Sequence, residues 1–182
     1  SSSYPTIAPA TSHQGGQDGV ISVLNRDLTQ LLASTYVGTS GNEALYSIAL
    51  ADKQGLNFPS PSFKFTPFYI AGSIGPSTDS SIAMGWLNPV YDYSIPTSSD
   101  QDALLLAGDL GPSMIGIGNY ITMNAIDVQA DSGYNQHFFV ETHNETDTAS
   151  VVTVVGQHKG GLVADSLTWG QPGSAQYFQR YK

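Results

Sequence analysis

The stretch His137-Phe138-Phe139-Val140-Glu141-Thr142-His143, followed by Asn144-Glu145-Thr146-Asp147-Thr148 and then Ser150-Val151-Val152-Thr153-Val154-Val155, constrains the fold most. Phe, Val and Thr suit a pleated, half-buried surface, and the short polar run between them suits a turn. The pattern predicts a β-hairpin over 137–158. If Glu141 pairs with Val152, then Phe138, Val140, Thr142, Val151, Thr153 and Val155 share a core face. His137, Phe139, Glu141, His143, Val152 and Val154 share the other face, with His158 joining them if the strand runs on. A slip of one residue would exchange the faces of one strand.

Two imidazoles and a carboxylate on one face, with a third imidazole across the ladder, make His137, Glu141, His143 and His158 the candidate metal ligands. Their spacing matches no zinc signature, and the chain has no cysteine. The expectation is a solvated strand face with no bound metal. No cofactor signature is present, and none is expected: Gly116 and Gly118 lack the third glycine or the Lys-Ser/Thr of a phosphate cradle. Asp131-Ser132-Gly133 lacks the repeated ligands of a calcium loop.

Short strands with regular turn signals extend over the rest of the chain. Ala44–Leu50 alternates at Tyr46, Ile48 and Leu50. Phe63–Ile70 is strand-like, with Pro67 marking an edge or a bulge. Ser81–Leu87, Val90–Ile95, Met114–Ala130 and Leu162–Trp169 read as further strands, and Tyr177-Phe178 as a last aromatic segment. Two segments read as helix. Val20, Ile21, Leu24, Leu28, Leu31 and Leu32 form a stripe at the 3.6-residue period, with Asp18 as N-cap, and Ser98–Gly108 reads as a capped helical turn. The fold expected is mainly β, an antiparallel β-sandwich or open barrel of jelly-roll-like type with one or two decorating helices. An α+β domain is the alternative.

Residues 1–16, rich in Ser, Pro, Thr and Gly, read as an extended arm, and 17–182 as a single β-rich domain. Tyr4 and Ile7 are the arm's apolar anchors, and Pro5 and Pro9 restrict its backbone. The arm is expected to lie against another subunit, the alternative being that it folds back on its own domain.

Charged residues make up only 12% of the chain, and the net charge is −9. Six basic residues (Arg26, Lys53, Lys64, Lys159, Arg180 and Lys182) provide no basic surface for nucleic acid or an anionic membrane. No apolar run reaches the length of a membrane-spanning helix. A neutral polar surface of this kind points to an extracellular, cell-surface or virion setting. Asn144-Glu145-Thr146 is a glycosylation sequon on the hairpin turn, which makes Asn144 a candidate acceptor.

Catalytic signatures are weak. Ala71-Gly72-Ser73-Ile74-Gly75 has the glycine spacing of a nucleophile elbow but is followed by loop signals rather than a helix. Asp127 sits between Ile126 and Val128, as a strand-end catalytic acid can, but such a residue more often faces solvent. Ten tyrosines and two tryptophans supply stacking surfaces, with Trp86, Tyr91 and Tyr93 the candidate ligand-binding cluster. The reading therefore leans away from an enzyme, toward a structural or assembly subunit that packs against copies of itself. A secreted module binding glycans or other surface proteins is the alternative, and a secreted hydrolase comes third.

Overall fold

A computed structural model describes residues 4–7, 12–51, 66–79, 82–84, 101–110, 121–129, 134–144, 150–159 and 175–181. In chain order its strands are β1 (Gly19–Leu24), β2 (Leu31–Gly38), β3 (Glu43–Leu50), β4 (Thr66–Ile74), β5 (Ala83–Met84), β6 (Asp102–Leu110), β7 (Ile121–Gln129), β8 (Tyr134–Asn144), β9 (Ser150–Lys159) and β10 (Ala175–Tyr181). They form three antiparallel sheets, ordered β1-β2-β5, β3-β4-β6-β7 and β10-β9-β8. The described residues contain no helix, so the protein is mainly β.

The four-stranded sheet is apolar on both faces. Phe68, Ile70 and Ile74 of β4 and Leu104 and Leu106 of β6 pack with Ile21, Ala33, Val37 and Ile82 on one side. Ala71 and Leu105, from the same two strands, pack with Val140, Val152 and Val154 on the other. Burying each such side chain contributes about 1.5–3 kcal/mol. A strand covered on both faces needs a continuous apolar run rather than alternation. This corrects the helical turn expected at 98–108: Leu104, Leu105 and Leu106 belong to β6, and all three are buried.

The helix expected from residue 18 is likewise replaced, by the hairpin β1–β2. Asn25 makes the turn. Its Oδ1 accepts the N–H groups of Thr29 and Gln30 at 2.8 and 3.1 Å, and its own N–H donates to the Gln30 carbonyl. Leu28 sits at φ 57° in this turn with its side chain in solvent. The six-residue polar connection lets Ile21, Val23 and Ala33 face the core from two strands, so the helical stripe was coincidental in period.

The hairpin β8–β9 forms as expected, but Glu141 pairs with Thr153, not Val152. A bulge explains the slip: His137 pairs with Gly156 and Phe139 with Val155, leaving Phe138 as the extra residue. The buried face is thus Val140, Val152 and Val154, while Phe138 and Val155, expected in the core, are 40% and 38% exposed. Pro67 pairs with Asp109 of β6, and the β3–β4 ladder starts one residue later, at Leu50↔Phe68. Pro67 therefore stands where β4 has a single neighbour among the described residues, in keeping with its missing N–H.

Candidate interaction site

The described part of the N-terminal arm contacts its own chain. Ile7 makes an antiparallel bridge to Ser34, donating its N–H to the Ser34 carbonyl at 3.1 Å. The Tyr4 N–H donates to the Tyr36 hydroxyl at 2.7 Å, and the Tyr4 hydroxyl lies 2.9 Å from Ser22 Oγ. His13 stands edge-on to the Tyr36 ring, 5.6 Å between centroids. Pro5 lies between the two anchors, and Pro9 is outside the described residues.

The arm leads into a knot around the β2–β3 turn. Thr39 donates from its N–H and its hydroxyl to the two carboxylate oxygens of Glu43, at 2.8 and 2.6 Å. Gly41 N–H donates to Thr39 Oγ1, and Ser40 N–H donates to Asp79. A Cβ at Gly38 would lie 2.5 Å from the Asp18 carboxylate, so a larger residue there would displace that side chain. Burial pushes the Glu43 carboxyl above the usual carboxylate range despite the Thr39 hydrogen bonds, and the charges of Asp18 and Asp79 add to the rise. Asp79 is held below that range by the Ser40 N–H. Both oxygens of Glu43 are engaged within the turn, so it acts as the turn's internal acceptor. The spacing Thr39-x-x-x-Glu43 after Gly38 was the signal for this knot.

The metal candidates separate. The bulge at Phe138 turns His137 into the core, where it is fully buried and its imidazole is pushed down to about 4 by desolvation. Glu141 and His143 lie beyond the bulge on the exposed face. His158 occupies the β9 position between Asn135 and Ala175, five residues along β9 from Glu141's partner Thr153. No group of three metal-ligating side chains comes together among the described residues. Ser73 of the elbow-like motif is buried within β4, 3.3 Å from the Tyr46 hydroxyl. Asp127 pairs with Leu105 in β7, and Asn144 ends β8 opposite Ser150. Trp86, Tyr91 and Tyr93 lie outside the described residues.

What the structure assembles instead is apolar surface around two strands, β3 and β8. Among the described strands β3 and β8 are terminal in their sheets, and β8 packs against β3, β4 and β6. Val140 N–H donates to Ser47 Oγ, and Thr142 Oγ1 donates to the Leu50 carbonyl. β3 carries its own bulge, since Leu45 pairs with Gly72 and Ser47 with Ala71, leaving Tyr46 as the extra residue. The Tyr46 and Phe138 rings meet at a centroid distance of 5.6 Å and an interplanar angle of 58°. Gln136 Nε2 donates to the Tyr46 hydroxyl at 3.3 Å and to Gln101 Oε1 at 2.7 Å.

Past this corner, Ile48 and Leu50 pair with Ile70 and Phe68 yet stay more than half exposed. Ile48 borders an open groove of about 280 Å³ shared with Val20, Ile21, Leu45 and Ile70. On the outer face of the β8–β9 hairpin, Phe139 pairs with Val155, and both are exposed. In β10, Phe178 takes the register position opposite Val155. The doubled Phe138-Phe139 in an otherwise alternating strand was the one sequence signal for the bulge. Comparison with protein-family models, with curated proteins and with solved structures finds no match to this chain.

Proposed function

We propose that this chain is a non-enzymatic structural subunit that packs against copies of itself in an extracellular, cell-surface or virion assembly. We further propose that its sheets stack as a β-sandwich of jelly-roll-like type. The observation that carries the first proposal is the exposed cross-strand pair Phe139–Val155 on the outer face of the β8–β9 hairpin. Large apolar side chains paired on a solvent-facing sheet lose hydration cost when covered by a partner.

The charge pattern favours a second copy as that partner. Copies carrying −9 repel each other, so close approach is least costly at an uncharged patch. Phe139 and Val155 form such an uncharged pair, with the exposed Glu141, opposite Thr153, at its margin. The shortage of basic residues disfavours nucleic acid and anionic membrane as partners.

The test is substitution at exposed positions. Phe139→Asp and Val155→Asp should leave the fold intact and shift the protein to a smaller species in size-exclusion chromatography. An unchanged elution position for both folded variants would contradict the proposal.

A further inference from the structure

We propose that the outer face of the β8–β9–β10 sheet packs on the same face of a second copy about a two-fold axis along β9, with Glu141 of each copy paired to Arg180 of the other. This contact rests on the self-packing reading and gives it a symmetry and a charged pair.

The strand register sets out the face in rows. Phe139 of β8 and Phe178 of β10 take the positions on either side of Val155. Two positions along β9, Glu141 and Arg180 take the positions on either side of Thr153. Residues directly opposite in antiparallel strands, and those two apart along one strand, share a face. An apolar row therefore lies beside a row with an acid at one end and a base at the other. This is the outer face, because the alternate residues Val140, Val152 and Val154 are buried against Ala71 and Leu105. Phe139, Glu141 and Val155 are exposed on it, and Thr153 is half-buried.

The charges select the arrangement. In a two-fold contact one surface serves both copies, so each residue must suit the one that the axis sets opposite it. An axis across the strands keeps β8 over β8 and β10 over β10. Neither match is favourable, because β8 has no Lys or Arg and β10 has no Asp or Glu. Such an axis through Thr153 sets Glu141 against Glu141; moved toward Val155, it sets Glu141 against Phe139. Like charges face to face, or a charge covered without a partner, oppose association. The axis along β9 exchanges β8 with β10 instead. It sets Glu141 against the second copy's Arg180, twice per contact, and Phe139 against the second copy's Phe178. Val155 then meets its own counterpart on the axis. Two opposite-charge pairs offset part of the repulsion between copies that each carry −9.

Charge reversal followed by mixing tests this contact, read by sedimentation equilibrium of the full chain. Glu141→Arg alone and Arg180→Glu alone, each with native circular dichroism, should weaken self-association at least about tenfold, since each brings like charges together twice. An equimolar mixture of the two variants should associate as tightly as the native chain, because both pairs between unlike copies again join opposite charges. A mixture as weak as its components, the result of pairing within one chain, would overturn the proposal. Native-strength association of either single variant would do the same. In both cases a native chain that still associates leaves the self-packing reading standing, whereas a native chain that is monomeric ends both. Should a reversal fail to fold, Val155→Cys decides. The chain has no cysteine of its own, and a thiol on the axis faces its own copy, so a short bis-maleimide should link the copies into a covalent dimer. A chain that stays uncoupled would overturn the proposal.

Discussion

Tyr46 and Phe138, the extra residues of bulges in two different sheets, meet ring to ring at 5.6 Å. Neither ring is in a core, yet the pair links β3 to β8. An aromatic pair of this geometry contributes about 0.5–1.5 kcal/mol beyond its burial. A double-mutant cycle of Tyr46→Ala and Phe138→Ala should return a coupling in that range. Phe138→Ala alone should cost much less than Leu105→Ala, which empties a fully buried position and should cost about 2–5 kcal/mol. Equal losses in chemical denaturation would place Phe138 in the core after all.

Glu43 should matter as an acceptor rather than as a charge. Glu43→Leu strands the buried N–H of Thr39 and should cost about 1–3 kcal/mol. Glu43→Gln keeps an oxygen for that N–H, and its amide can donate to the Thr39 hydroxyl. It should be neutral or stabilising at neutral pH, since it also removes a carboxylate that burial disfavours. Urea denaturation of the two variants distinguishes these outcomes.

The buried His137 makes stability fall in mild acid. Unfolded, its imidazole titrates near the usual 6.5; folded, burial pushes it down to about 4. Between those values the unfolded chain takes up a proton that the folded chain refuses. The stability linked to this group is therefore complete above about pH 6.5 and is lost as pH falls toward 4, on the order of 3 kcal/mol in all. The raised Glu43 carboxyl acts in the opposite sense: its contribution is present below the ordinary carboxylate range and is lost as pH rises through its folded value. Thermal melts between pH 7.5 and 4 should show a shallower pH slope for His137→Gln than for the native chain, whatever their absolute melting temperatures.

The strand content of this protein is legible in its sequence, but its registers are not. The hairpin over 137–158 follows from β-rich runs around a polar turn. Its faces do not, because a bulge adds one residue without altering the composition. Phe138-Phe139 hints at that bulge, but the exposure of Phe138 and Val155 emerges only once Glu141 is seen opposite Thr153. The segment from Val20 to Leu32 satisfied a helical period, although Val20, Ile21 and Val23 are β-branched and Asn25–Gln30 is a polar turn. There the turn chemistry decided, with the Asn25 side chain closing it. Leu104-Leu105-Leu106 could not reveal its period, because a strand buried on both faces has none to show. The aromatic corner was unreadable for a simpler reason: Tyr46 and Phe138 lie 92 positions apart, and only the sheets bring them together.

Tyr4 and Ile7 of the arm bond to β1 and β2 of the same chain. Removing residues 1–7 takes away the Ile7–Ser34 bridge and both Tyr4 hydrogen bonds, all made within the chain. The truncated protein should fold, lose about 1–2 kcal/mol, and keep the native oligomeric state. A truncated chain that folds but no longer assembles would show that the arm acts between subunits.

Self-packing is tested most directly by the solution mass from light scattering. The account predicts a multiple of 19.3 kDa for the native chain and a fall toward 19.3 kDa for folded Val155→Asp. A native chain that stays at 19.3 kDa across the micromolar range would contradict it.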